Sequence, residues 1–291
     1  MTQEKHSLTD LLKVESPIDV VDIGANPIEG DPPYKPLLDL GLAHVIGFEP
    51  NPLALDSLNA KKSQNETYIP GVVYDGNEQE LKVCMSQGMT SLLEPNSELL
   101  SYFFGFPEWG KVKARLSVPT LRLDDVTEIK NIDYLKIDIQ GAELKVFQNG
   151  TERLRDCLVI HTEVEFLPMY EDQPLFSEVE LFLRELGFIL HRFFPLESRA
   201  VEPLVINGDI NIGLGQLFWA DAIFIKDFTK FNKLGSQSLK KMALILHEIY
   251  GSYDIALRAL KAHDLKVNSK LSDEYLIFLS KLQLEEKIAK S

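Results

Sequence analysis

From Ile18 onward, short β-rich runs alternate with helical stretches, and this alternation narrows the fold more than any other feature of the chain. A sequence that keeps switching between the two periodicities buries a mainly parallel sheet under helices on both faces, the doubly wound α/β arrangement. The runs read as strands are Ile18–Ile23, His44–Phe48, Thr67–Val73, Tyr134–Ile139, Cys157–Glu163, Phe188–Phe194 and Leu217–Ile225. Helices between them carry start and stop signals. Tyr34–Leu40 follows Pro32 and Pro33 and stops at Gly41, and a helix to Lys62 opens with Asn51 as cap and Pro52 at its first position. Ser177–Leu186 ends at Gly187.

Two stretches break the alternation. Residues 74–120 read as an inserted arm: a hairpin of Glu80–Met85 with Met89–Leu93, then the aromatic segment SYFFGFPEWG at Ser101–Gly110. Insertions at a strand's carboxyl end often cover a site, so Phe103, Phe104, Phe106 and Trp109 are read equally as a substrate lid or as the insert's own core. After Phe228, strand character is lost. Ser238–Tyr250, Ser252–His263 and Glu274–Ile288 carry apolar residues at helical spacing, with Asp273 placed to cap the last helix. The expected organisation is one catalytic domain over 1–229 and a helical appendage over 230–291. Three short helices are too small for an independent core, so their apolar faces are expected to bury against the main domain or in a homo-oligomer.

Charge and cysteine content exclude several classes. A formal net charge of −14 repels polyphosphate backbones, and no Lys/Arg stripe offsets it, so nucleic acid is not an expected partner. No apolar run approaches the ~20 residues of a membrane span, and MTQEKHSLTD lacks a secretory pattern, which leads to a cytoplasmic expectation. Cys84 and Cys157 sit in apolar runs without metal-ligand spacing and read as buried free thiols; no metal is expected.

Ligands of an open α/β sheet bind beyond the carboxyl ends of its strands, and the first βα turn usually carries part of the site. Here that turn is Val21-Asp22-Ile23-Gly24-Ala25-Asn26. Gly24 lets backbone approach a ligand, Asp22 can accept from a cationic amino group, and Asn26 offers donor and acceptor to a carboxylate. The second strand ends in Gly47-Phe48-Glu49-Pro50, with Glu49 placed for the two hydroxyls of a ribose. An adenosine ligand follows. A dinucleotide turn would read GxGxxG, whereas this one holds Asn26 at the second glycine and sets Glu29 and Asp31 where a pyrophosphate would lie. S-adenosylmethionine (SAM), cationic and free of phosphate, fits better than a nicotinamide dinucleotide.

VVDIGAN at Val20–Asn26, GFEPNP at Gly47–Pro52, RLDDV at Arg122–Val126 and YLKIDIQGAELKVFQNG at Tyr134–Gly150 together resemble the FkbM-type methyltransferases, over roughly Ile18–Phe228. The resemblance implies a class I, Rossmann-like methyltransferase fold. That fold has a seven-stranded, mostly parallel sheet with an antiparallel last strand, and here a C-terminal helical tail follows it. It also implies SAM as methyl donor and usually a hydroxyl acceptor on a sugar, a glycan or a small metabolite. By position, Asp22, Gly24 and Asn26 match the methionine-binding turn and Glu49 the ribose clamp. Asp75 is the candidate beside the adenine, although Asp75-Gly76 is also a common turn pair; Ser91 lines the same pocket or belongs to a hairpin strand. Asp138 ends the fourth strand of this fold next to the donor methyl, and Asp138 and Glu143 would orient the acceptor. Where the family more often has glutamate, this chain has Gln140, which weakens any metal site there.

His161, Glu163 and Glu165 alternate, so they share one side of a strand, as ligands or bases or as hydrogen-bonded strand-end groups. Asp138, Glu143, His161 and Glu163 are the candidates to take a proton from the acceptor. Two rivals stand beside this reading: an NAD(P)-dependent reductase or epimerase, and a non-catalytic SAM-binding scaffold. An antiparallel seventh strand separates the first of these from a methyltransferase, and the turn-rich link to Leu217 is expected to form that hairpin.

Overall fold

A computed structural model of the chain describes residues 8–26 and 30–289, without side chains beyond residue 282. The readings placed on Pro27, Ile28 and Glu29 lie outside the described residues. In chain order come α1 (Leu8–Leu12), β1 (Ile18–Ile23), α2 (Lys35–Asp39), β2 (Ala43–Phe48), α3 (Pro52–Lys61), β3 (Glu66–Ile69), β4 (Val72–Tyr74) and β5 (Glu78–Cys84). There follow α4 (Ser97–Leu100), α5 (Phe106–Trp109), β6 (Val112–Arg122), β7 (Tyr134–Ile137), α6 (Glu143–Gln148), α7 (Thr151–Leu154), β8 (Val159–Glu165) and α8 (Phe176–Glu185). The chain ends with β9 (Phe188–Ser198), β10 (Leu217–Lys226), α9 (Ser236–Glu248), α10 (Tyr253–Val267) and α11 (Leu271–Ala289).

Seven strands form the main sheet in the order β3-β2-β1-β7-β8-β10-β9. β1 pairs parallel with β7, β7 parallel with β8, and β10 antiparallel with β8, so the last strand in the chain is inserted between β8 and β9. This is the class I methyltransferase order, with the antiparallel strand that a nicotinamide-binding sheet lacks.

The expected strand Thr67–Val73 is split. Pro70 has no N–H for a sheet ladder and Gly71 is free to turn, so β3 stays in the main sheet and β4 joins a second one, β4-β6-β5. The expected hairpin partner of β5 is also different. β5 pairs antiparallel with β6 along its length, whereas Met89–Leu93 contributes one bridge, Lys82 to Ser91, beside a 3-10 turn at Gln87–Met89. Phe103 and Phe106 are buried with Met89, Leu100, Met169, Tyr170 and Phe218, which makes them core residues of this region.

One face of the main sheet is largely apolar, with buried Thr162 among its few polar side chains. Val21, Ile23, Leu135, Ile137, Ile160, Val164, Ala222 and Phe224 bury against Val146 and Phe147 of α6, Leu154 of α7, and Val179 and Leu183 of α8. The opposite face changes character along the strands. Toward the amino ends of the parallel strands it holds buried Val20, Val45 and Val159; toward the carboxyl ends it holds Asp22, Lys136, His161 and Glu163. Registered neighbours share a face, so these polar side chains lie side by side at one end of the sheet.

Packing divides the chain into two units. One comprises Asp19–Asp31 and Val45–Ile225; the other, the segment up to Ile18, Pro32–His44 and the chain from Lys226 onward. Within the second unit α9 and α10 pack together, and α1 and α2 pack on α9. The start of α11 is capped from the preceding helix, whereas Asp273 lies within its first turn. Asp264 accepts from Leu271 N at 2.9 Å, Ser272 N at 2.8 Å and Ser272 Oγ at 2.6 Å. Among the described residues no helix is long and apolar enough to cross a membrane.

Burial works against the ionised Asp264 carboxylate, but the hydrogen bonds from Ser269, Ser272 and Leu271 outweigh it and hold its pKa at about 2. Asp264→Ala should cost about 1–2 kcal/mol in denaturant titration, the usual worth of a helix cap. A depressed folded pKa gives stability that is complete above the unfolded aspartate value and is lost as pH falls toward about 2. The difference between wild type and variant should therefore shrink in strong acid; a gap that does not change with pH would show that the carboxylate charge is not what caps α11.

Candidate active site

Four neighbouring strands each carry a carboxylate at or just beyond their carboxyl ends: Glu49 after β2, Asp22 in β1, Asp138 after β7 and Glu163 in β8. Sequence position alone spreads these residues over more than a hundred positions; the strand order brings them onto one rim. Asp22 is level with Lys136, which in turn is level with His161, and Asp221 of β10 is level with Glu163.

Lys136 was not anticipated as a site residue. Its ammonium lies 3.6 Å from Asp22 Oδ1 and 3.9 Å from Asp138 Oδ2, and it donates to the Gly24 carbonyl at 3.1 Å. The signal was present: a lysine in the middle of a strand that has strands on both sides, where parallel sheets are otherwise apolar. Gly24 itself is fixed from within the protein. Its φ is +82°, and a Cβ there would sit 2.0 Å from the Asp138 carbonyl oxygen, so only glycine lets β1 turn against the end of β7. The Gly24 and Ala25 N–H groups both donate to the Phe48 carbonyl, tying the same turn to β2.

Glu49 is buried and accepts from Asn51 N at 2.7 Å, while the Asn51 side chain caps α3 by accepting from Leu53 N at 3.0 Å. Burial raises the Glu49 pKa above the usual range; the bond from Asn51 and the charge of Lys136 pull the other way. Asn26 lies half-buried past the turn.

Oxygens of Asp138, Glu143 and Glu163 lie within 4.8 Å of one another, so three of the four predicted proton-handling residues do come together. Carboxylates at this spacing draw a proton or a cation. Glu143, at the start of α6, is 2% exposed and accepts from Ile139 N at 2.8 Å and Gly141 N at 3.3 Å. Burial chiefly, with the Asp138 charge beside it, pushes its pKa up to about 7 against those bonds. Burial and the Asp138 charge also push Glu163 well above the usual range, and burial with the Glu143 charge does the same to Glu165. Gln140, between Asp138 and Glu143 in sequence, donates from its amide to Asp138 Oδ1 at 3.0 Å and to Glu163 Oε2 at 2.9 Å.

The remaining predicted residues lie elsewhere in the network. His161 is buried between Tyr134 OH, 3.2 Å from Nδ1, and Asp221 Oδ2, 3.2 Å from Nε2, so both ring nitrogens face protein groups. Asp75 serves its own turn: it accepts from Asn77 N at 3.0 Å and from the Gln79 amide at 3.1 Å, and these bonds hold its pKa down against a burial effect that raises it. Ser91 is buried and donates to the Gln140 carbonyl at 2.7 Å, which places it behind the carboxylate group.

Among known sequences, the methyltransferase FkbM domain matches residues 22–190. A 2-O-methyltransferase, NoeI of Sinorhizobium fredii (strain NBRC 101917 / NGR234), is 33% identical over 123 residues, 41% of this chain and 44% of that protein. The chain therefore matches less than half the length of this curated relative. Solved structures with a similar fold include the precorrin-6y C5,15-methyltransferase of Geobacter metallireducens GS-15, with a TM-score of 0.37 and 12% identity over 75% of this chain and 85% of that one. Another is the magnesium protoporphyrin IX methyltransferase of Synechocystis PCC 6803 with bound SAM, with a TM-score of 0.35 and 11% identity over 76% of each chain.

Lys136→Met removes the cation that faces Asp22 and Asp138 and takes the donor from the Gly24 carbonyl. Stability should fall by about 2–3 kcal/mol in denaturant titration, toward the low end for a broken buried ion pair because the contacts are loose. A loss within about 0.5 kcal/mol, the range of an ordinary surface substitution, would mean that the carboxylates are compensated without it.

Proposed function

The chain belongs to the FkbM methyltransferase family, and from that premise we propose that it transfers the sulfonium methyl of SAM to an oxygen of a sugar, a glycan or a small hydroxylated metabolite. The observation that carries the choice of donor is the rim of carboxylates on β2, β1, β7 and β8. A pyrophosphate would be repelled there; a ligand with a sulfonium, an ammonium and two ribose hydroxyls meets acceptors at each strand end. In this reading Glu49 holds the ribose, Asp22 with Asn26 and the Gly24 turn holds the methionine part, and Asp138 stands nearest the methyl. Asp75 is left out because its carboxylate is taken up by its turn, and Ser91 acts through Gln140.

SAM is an activated donor, so the protein's work is alignment and proton removal. The acceptor oxygen attacks the methyl carbon in line, the carbon–sulfur bond breaks with its electron pair going to sulfur, and the hydroxyl proton passes to a carboxylate. Glu163 is favoured for that proton. Glu143 has an oxygen committed to backbone N–H groups, and His161 is held between Tyr134 and Asp221. A carboxylate whose proton affinity is raised by burial and by like charges is also a stronger base than an exposed one. The name of the partial relative, a 2-O-methyltransferase, supports oxygen as the acceptor atom.

Calorimetric titration should show SAM binding and no response to NAD; binding of NAD with none of SAM would overturn the donor assignment. Glu49→Ala should weaken SAM binding by about 1–3 kcal/mol, the cost of a charge-assisted hydrogen bond to a ligand. Incubation with methyl-labelled SAM and a panel of nucleotide sugars and glycan precursors would identify the acceptor, and label transferred to any of them would exclude a purely scaffolding role.

A further inference from the structure

We propose that Gln140 is a positioning residue whose amide spans Asp138 and Glu163, standing where a cation would otherwise have to hold the two carboxylates together; this rests on the active-site reading above. The amide nitrogen is 3.0 Å from Asp138 Oδ1 and 2.9 Å from Glu163 Oε2. Its orientation is set from the other end, because the hydroxyl of fully buried Tyr170 donates to Gln140 Oε1 at 3.1 Å. The backbone is set too. Gln140 has φ +60°, in the left-handed region that a residue with a Cβ occupies at a cost, and its carbonyl accepts from Ser91 Oγ at 2.7 Å. Such strain persists only where the surroundings impose it, and here they aim both amide hydrogens at carboxylates.

The groups around this amide make its neutrality consequential. Lys136, Asp138 and Glu143 face it from β7 and α6, Glu163 and Glu165 from β8, Asp221 from β10, and Tyr170 from the segment after β8. Two donated hydrogen bonds offset the repulsion between Asp138 and Glu163 without adding charge, and at Glu163 the bond works against the burial that raises its pKa. Glu163 can then take the proton of an acceptor hydroxyl as its oxygen attacks the methyl group. A glutamate at position 140 would remove both donors and add a further carboxylate, so the group would need a cation or an extra proton.

The test uses the full chain with Gln140→Glu, Gln140→Met and Tyr170→Phe, manganese(II) binding by electron paramagnetic resonance, and thermal unfolding across pH. Gln140→Glu should bind manganese(II) at least about tenfold more tightly than the wild type and gain thermal stability from it, as an added carboxylate ligand does. Gln140→Met should gain no manganese affinity. Its melting temperature relative to wild type should fall more above neutrality than below, because Glu163, already raised by burial and now without its donor, holds a proton in the folded state and gives it up as pH rises. Tyr170→Phe should move the same way by less. A purely structural glutamine would give neither rescue by manganese nor a pH-dependent difference. Manganese affinity of Gln140→Glu within about twofold of wild type would overturn the proposal, as would pH-independent losses in both other variants, which also decide the matter if Gln140→Glu does not fold. SAM titration of the wild type judges the functional reading separately, since neither manganese binding nor melting depends on it.

Discussion

The contact on which this fold turns is a single ammonium at the seam of two parallel strands. Lys136 reaches from β7 to the Gly24 carbonyl and to the carboxylates of Asp22 and Asp138, at the place where β1 and β7 both end. A rim of carboxylates in half-buried surroundings is costly to assemble, because like charges at these separations repel by kilocalories where water is scarce. The protein answers with donors of graded strength: one lysine, the backbone N–H groups of Asn51, Ile139 and Gly141, and the amide of Gln140. What is left over is a cluster of buried and half-buried carboxyl groups at the carboxyl-terminal end of the sheet.

That cluster ties architecture to chemistry. The face covered by α6, α7 and α8 is largely apolar along its whole length and supplies rigidity, whereas the opposite face is apolar only over its amino-terminal part. Pairing in register then converts a periodicity of two in β7 and β8 into a row of polar groups: Asp22, Lys136 and His161 at one level, Glu163 and Asp221 at the next. Each strand contributes one or two groups, and no loop has to fold over to complete the row. Burial raises the proton affinity both of Glu163, which β8 positions, and of Glu143, which the first turn of α6 positions.

The main sheet was legible in the sequence because its strands are short, apolar and bounded by clear stops: Ile18–Ile23 and the Asn51-Pro52 helix start appear where the residues place them. Glu49, Asp138, Glu143 and Glu163 were legible for a related reason, since each lies at a strand end or in the first turn of the helix after it. The second sheet was not. β6 is exposed along most of its length and reads as a polar connector until its partners are known, and the first strand of the arm gives no hint that it pairs with residues beyond the aromatic segment. Asp264 was missed as the cap of α11 because its partners lie across a turn, and a sequence offers Asp273 nearer by. Lys136 was hidden by the opposite habit, reading a strand as apolar from its neighbours.

The two ends of the main sheet have a bearing on how this molecule meets others. At one end β3 is four residues long and is followed at once by Pro70; at the other, β9 contains Pro195. A proline cannot donate to an added strand, and a four-residue edge offers little ladder to extend. Neither border supplies the long unbroken row of backbone donors and acceptors that lets one sheet continue into another. The two borders of the main sheet are thus poor templates for growth edge to edge.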